Sequence, residues 1–262
     1  MTGSDGVWLY AITRDGVRAE QLAGLTGVAG EPVRAIEVGG LVAVVGSVSS
    51  SEFGEEPLQR NLENLDWLAA TARAHDGVVA AVLRYGPTIP LRLATVYHDD
   101  GRVRELLAAR RDEFAAALRR VTGRTEWGVK AYGDREAMSE PVAAQQPAQG
   151  AAGKGTAYLL RRRAQLAAQE NIERRAAGYA DEIHATLLRC AVDGRRQTVT
   201  DPVLTGKRAW MFFNGTYLVE DAERDEFAAT VKTLEAEHKG VTLELSGPWP
   251  PYSFAGFEQE AP

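Results

Sequence analysis

Short apolar runs open this chain and longer three-and-four periodicities follow, a change of pattern that predicts a sheet first and helices after it. Val7 to Thr13 is aliphatic and aromatic and reads as a strand. Val33 to Val38 and Leu41 to Val48 are two further apolar runs around Gly39-Gly40, a pair that allows the positive φ values of a tight hairpin. From Pro57, the positions Leu58, Leu62, Leu65, Ala69 and Ala72 share one face of an amphipathic helix that runs past Gly77 towards Leu83. Thr88 to Tyr97 reads as a strand interrupted at Pro90. Asp99 or Asp100 caps a helix whose buried stripe is Val103, Leu107, Phe114, Leu118 and Val121, ended by Gly123, and Glu126 to Tyr132 follows as a strand. The order strand, hairpin, helix, strand, helix, strand predicts an α+β protein. Its first domain, residues 1–134, is expected to be ferredoxin-like, with helices on one face of an antiparallel sheet.

Residues 135–155 read as a linker, because Ser139 to Gly153 is rich in Ala, Gln, Pro and Gly and has no apolar period. The second domain, 156–262, begins with a proline-free stretch from Thr156 to Cys190, a helix on the order of 50 Å if continuous. Ile172, Ala176, Tyr179, Ile183 and Leu187 give its second half a buried stripe. The first half is polar apart from a thin seam of Tyr158, Leu159 and Leu166, which suits coiled-coil pairing within a helical hairpin or with a partner helix. A short βαβ-like portion follows: a strand over 208–219 that Asn214-Gly215 could turn into a hairpin, a helix over 222–238 and a strand from Val241 to Leu245. The chain then enters Gly247-Pro-Trp249-Pro250-Pro-Tyr252-Ser-Phe254. Its prolines fix φ and remove amide donors, so it predicts a stiff extended arm carrying three large aromatics.

Composition narrows the function. Of 262 residues, 45% are hydrophobic and 25% charged, which excludes disorder throughout, and a net charge of −6 with mixed signs gives no field for nucleic acid. A single cysteine, Cys190, excludes an internal disulfide and suits a reducing compartment. Neither a signal peptide nor a membrane span is read from the sequence, so a cytoplasmic location is expected. His75, His98, His184 and His238 lack metal-ligand spacing, so no metal is expected. Gly150 to Thr156 imitates a phosphate loop, but Gly155 separates Lys154 from Thr156 and no buried strand precedes it. There is no nucleophile elbow, and the paired carboxylates are adjacent rather than convergent. No cofactor is implied, and the inventory describes a binding protein rather than an enzyme.

The terminal octapeptide resembles the C-terminal signature of the gas vesicle GvpL/GvpF family. Pro90-Leu-Arg-Leu93-Ala94-Thr-Val-Tyr97 is similar to the family's Pro-Leu-Arg-Phe-Gly-Thr-Val-Phe block, with Leu93 and Ala94 in place of Phe and Gly. The opening strand from Val7 and the stretch Gly155 to Arg163 match in the same order. The resemblance implies a modified ferredoxin-like first domain and a vesicle-associated accessory protein. Such a protein acts in assembly by binding the small hydrophobic shell protein and limiting its aggregation, with other accessory proteins as further partners. Trp249, Pro250, Tyr252 and Phe254 are then the candidate partner-binding residues. Docking of these aromatics onto the protein's own sheet is the stronger reading of the arm, and direct partner contact is the alternative. The runner-up for the whole chain is a ligand-binding regulatory protein or enzyme on a ferredoxin-like scaffold.

Overall fold

A computed structural model describes residues 5–14, 17–139, 154–199 and 210–255. The chain forms two units, one made of Met1–Glu126 with Pro248–Pro262 and the other of Trp127–Gly247, so the second is inserted into the first along the sequence.

The first unit is built on β1 (Asp5–Arg14), β2 (Arg34–Val38), β3 (Leu41–Ser49), β4 (Thr88–Pro90) and β5 (Val96–Tyr97), in the order β2-β3-β1-β4, with β5 also on β1. Gly39 and Gly40 have φ of 57° and 84°, both positive as a tight β2–β3 turn requires. The β1–β3 register shifts between Leu9 and Ala11, a bulge that sets Tyr10 and Ala11 together in one core cluster.

Two cores flank this sheet. Leu9, Ile12, Ala43 and Val45 pack with Val103 and Leu107 of α5 (Asp100–Ala109) and with Phe114 and Leu118 of α6 (Arg111–Val121). Trp8, Tyr10, Val44 and Val48 pack with Phe53 of α2 (Ser50–Phe53) and with Val78 and Val82 of α4 (Leu65–Leu83). The expected one-sided helical layer is therefore corrected: alternation along β1 and β3 leaves both faces apolar, and each recruits helices. A four-residue helix, α1 (Ala19–Leu22), precedes β2.

The single helix expected from Pro57 is two, α3 (Glu55–Leu62) and α4. Asn64 stops the continuity because its side chain accepts hydrogen bonds from the amides of Asp66 and Trp67 as an N-cap. Asp99 caps α5 through the Arg102 amide, and α5 and α6 are separated at Arg110.

The strand expected over 88–97 divides into β4 and β5 at a turn in which Ala94 has a φ of 66°. A left-handed L-residue costs about 1–2 kcal/mol, and glycine returns roughly 0.5–1 of that through the entropy of the unfolded chain. Ala94→Gly is thus expected to stabilise the protein by about 0.5 kcal/mol, read from the denaturant midpoint; a lower midpoint would mean that the methyl group packs usefully.

The second unit carries a sheet in the order β7-β8-β6-β9: β6 (Arg124–Gly133), β7 (Asp193–Arg196), β8 (Trp210–Glu220) and β9 (Val241–Trp249). The strand at 126–132, assigned from sequence to the first sheet, belongs here, because β4 and β5 already occupy the free side of β1. α7 (Arg135–Met138) lies within the expected linker; most of the remaining linker, including the phosphate-loop imitation up to Gly153, falls outside the described residues.

The long helix α8 (Lys154–Arg189) has 36 residues, about 54 Å. Ala176, Ile183 and Leu187 bury against the sheet, together with Phe227, Val231 and Leu234 of α9 (Arg224–Glu237). Leu166 in the polar half is exposed. Asn214-Gly215 does not turn: β8 runs through it, paired with β7 at Arg196↔Gly215. A Cβ on Gly215 would meet the Phe213 and Tyr217 rings at 2.8 and 3.1 Å, so glycine here makes room for aromatic packing.

Candidate partner-binding site

The arm continues β9 through Pro248 to Trp249 and then turns, with the Tyr252 amide donating to the Pro250 carbonyl at 2.7 Å and the Phe254 amide to the Pro251 carbonyl at 3.2 Å. Phe254 is wholly buried, and Ala255 joins the α5/α6 core. The amide and hydroxyl of Ser253 each donate to the Glu126 carboxylate at 2.7 Å, and the Tyr252 hydroxyl donates to Asp76 Oδ1 at 2.7 Å. Burial, and then the Asp76 hydrogen bond, hold the Tyr252 phenol far above its usual range, so it stays a donor. Trp249 keeps 54% of its surface exposed and Pro250 is half-buried. The four residues singled out from sequence thus do different things: Phe254 anchors, Tyr252 fastens, and Trp249 is left facing solvent beside Pro250.

Asp76 follows His75 on α4, and His75 is fixed from both sides. The Trp8 indole N–H donates to His75 Nδ1 at 3.0 Å, which leaves Nε2 as the protonated nitrogen facing the Leu91 carbonyl at 3.0 Å. Burial pushes its pKa below the usual imidazole value, so the ring is held neutral. Nearby, the Tyr10 hydroxyl donates to Glu31 Oε1 at 2.5 Å and accepts from the Val28 amide at 2.8 Å. The Glu31 carboxylate fits only because Gly27 and Gly46 lack side chains: a Cβ on either would overlap it. Gly46→Ala is expected to cost about 1–3 kcal/mol by displacing Glu31; unfolding titrations check this, and an unchanged midpoint would show that the loop yields freely.

In the second unit, His238 faces the Leu234 carbonyl and Glu182, and His184 faces the Tyr217 hydroxyl. Cys190 is half-buried with its sulfur 3.8 Å from the Thr230 hydroxyl. No three His, Cys, Asp or Glu side chains among the described residues are placed to hold a metal ion, and none of the described helices is long and apolar enough to cross a membrane.

Sequence reasoning missed an apolar groove of about 880 Å³ in the first unit. Its lining includes Gly6, Val48 and Val96 from the sheet, Phe53 and Leu58 from α2 and α3, and Leu106 from α5. These positions are far apart in the chain, and of them only Leu58 stood in a helical periodicity read from the sequence.

Comparison with known proteins agrees with the resemblance seen in the motifs. The family model described as gas vesicle synthesis protein GvpL/GvpF matches residues 6–256. Gas vesicle protein L of Streptomyces sp. (strain CB03234) is 42% identical over 260 residues, covering 97% of this chain and 94% of that protein. Gas vesicle protein F of the same strain is 29% identical over 256 residues, covering 94% and 98%. The crystal structure of the gas vesicle protein GvpF from Anabaena sp. PCC7120 shares the fold, with a TM-score of 0.68 at 18% identity over 97% of each chain. With a family match from the first strand to the buried end of the arm and a relative at this level of identity, the chain belongs to the gas vesicle GvpL/GvpF family.

Proposed function

We propose that this gas vesicle protein acts in vesicle assembly as a binding protein in the cytoplasm, holding the hydrophobic shell protein and limiting its aggregation, with other accessory proteins as further partners. The observation that carries this reading is Trp249, 54% exposed on an arm fastened by Tyr252–Asp76 and Ser253–Glu126. A large aromatic held in solvent by a rigid backbone is ready to bury against a partner without first losing conformational freedom. The task needs apolar surface and no reacting groups.

Sedimentation of newly produced shell protein tests this. With the protein present, shell protein is expected to remain in the supernatant together with it, and Trp249→Ala is expected to weaken that retention without changing the melting temperature. Shell protein that pellets equally with and without this protein, at every ratio, would overturn the reading.

A further inference from the structure

We propose that the groove of the first unit receives an amphipathic helix with a basic flank, supplied by another polypeptide. The proposal rests on the assembly reading only for the source of that helix, the protein being assembled.

The floor is sheet. Gly6 pairs with Val48 on β3, and the neighbouring Trp8 pairs with Val96 on β5. A Cβ on Gly6 would meet Val96 Cγ1 at 3.0 Å and Val48 Cγ2 at 3.6 Å, so the missing side chain is what hollows the floor. The walls are helical. Leu106 on α5 lies outside that helix's buried Val103 and Leu107, and α3 has no buried residue, with Leu58 and Leu62 only half-covered. An amphipathic helix whose apolar positions gain no full burial is unusual in a folded unit. The walls come from the two layers, Phe53 and Leu58 from one core and Leu106 from the other, and apolar side chains on both sides suit the apolar stripe of a helix read at i, i+3, i+4 and i+7.

Charge selects the flank. Glu55 lines the groove, and both it and the adjacent Glu56 are exposed and form no ion pair among the described residues. Across the groove, Arg102 is paired with Glu105 at 2.9 Å, leaving a carboxylate in excess. Those charged side chains are exposed at the rim. The rest of the lining is mostly apolar, with Gly6, Val48, Val96, Phe53, Leu58 and Leu106 beside the polar Ser50, Tyr97 and His98.

The test uses the full chain and two fluorescent peptides of about 18 residues, five helical turns, with the same leucine stripe and either lysine or glutamate flanking it. Anisotropy is expected to show saturable binding of the lysine peptide and at least about tenfold weaker binding of the glutamate peptide. Leu106→Glu is expected to weaken lysine-peptide binding by a similar factor. The double change Glu55→Lys and Glu56→Lys, at exposed positions that leave folding intact, is expected to shift preference towards the glutamate peptide. Lysine-peptide binding that survives both variants would overturn the proposal, as would a groove filled by this chain's own residues or by a second copy, seen as concentration-dependent mass altered by Leu106→Glu. Shell retention separates the two readings. If Leu106→Glu loses the peptide but keeps shell protein soluble, the groove is not the contact and the assembly reading stands. If the unmodified protein binds the peptide in the groove but never retains shell protein, the groove stands and the assembly reading falls.

Discussion

Phe254→Ala is expected to lower stability by about 3–5 kcal/mol, the cost of truncating a buried phenylalanine, while Trp249→Ala is expected to change it by less than about 0.5 kcal/mol. The two aromatics stand five positions apart in one proline-rich motif, yet one is fully buried and the other is 54% exposed. Phe254 is also the residue that holds its neighbours in register: once it is lost, the Ser253–Glu126 and Tyr252–Asp76 hydrogen bonds have no anchored backbone behind them. Urea unfolding of both variants, followed through a signal from Trp8 in the first unit, is the measurement. Equal small losses would mean that the arm is dispensable to the fold.

His75→Ala is expected to cost about 3–5 kcal/mol, combining a core cavity with two stranded polar groups, the Trp8 indole N–H and the Leu91 carbonyl. His75 also predicts a pH response. Its folded pKa lies below the usual imidazole value because burial disfavours the charged ring. The folded state therefore prefers the neutral form, and the stabilisation is complete above about pH 6.5, the unfolded value. It declines as pH falls below that value and through the lower folded pKa, because the unfolded chain binds the proton first. His184, lowered by burial and then by the charge of Arg196, adds to the decline in the same direction in the second unit. Melting temperatures between pH 7.5 and 5 are expected to fall for the unmodified protein and to fall less for His75→Ala. Parallel curves would show that the ring titrates freely in the fold.

Much of the architecture could be read where one local cause dominates. Gly39-Gly40 allowed a single kind of turn, and the Ile172-to-Leu187 stripe is buried as its spacing required. Reading failed where a second cause acted. The leucine period crosses Asn64 without interruption, yet a side-chain cap ends one helix and starts another there. Asp193 to Arg196 has no apolar alternation, because β7 is an edge strand held by backbone bonds to β8. Asn214-Gly215 has turn chemistry, but the rings of Phe213 and Tyr217 claim the space above the glycine. Of the candidate site, the arm was legible because prolines act on their own residues. Where Tyr252 and Ser253 are fastened is set by Asp76 and Glu126, distant carboxylates that nothing in the motif announces.

The insertion of the second unit within the first has a consequence for synthesis. A growing chain makes the sheet and helices of the first unit early, then all of Trp127–Gly247, and only then Pro251, Ser253 and Phe254. Until that last stretch emerges, the Glu126 carboxylate lacks its Ser253 partner and the core lacks its final aromatic. The second unit is one continuous stretch of chain, whereas the first is completed only by residues made after it. A chain truncated after Trp249 should therefore show a protease-sensitive first unit and a protected second one.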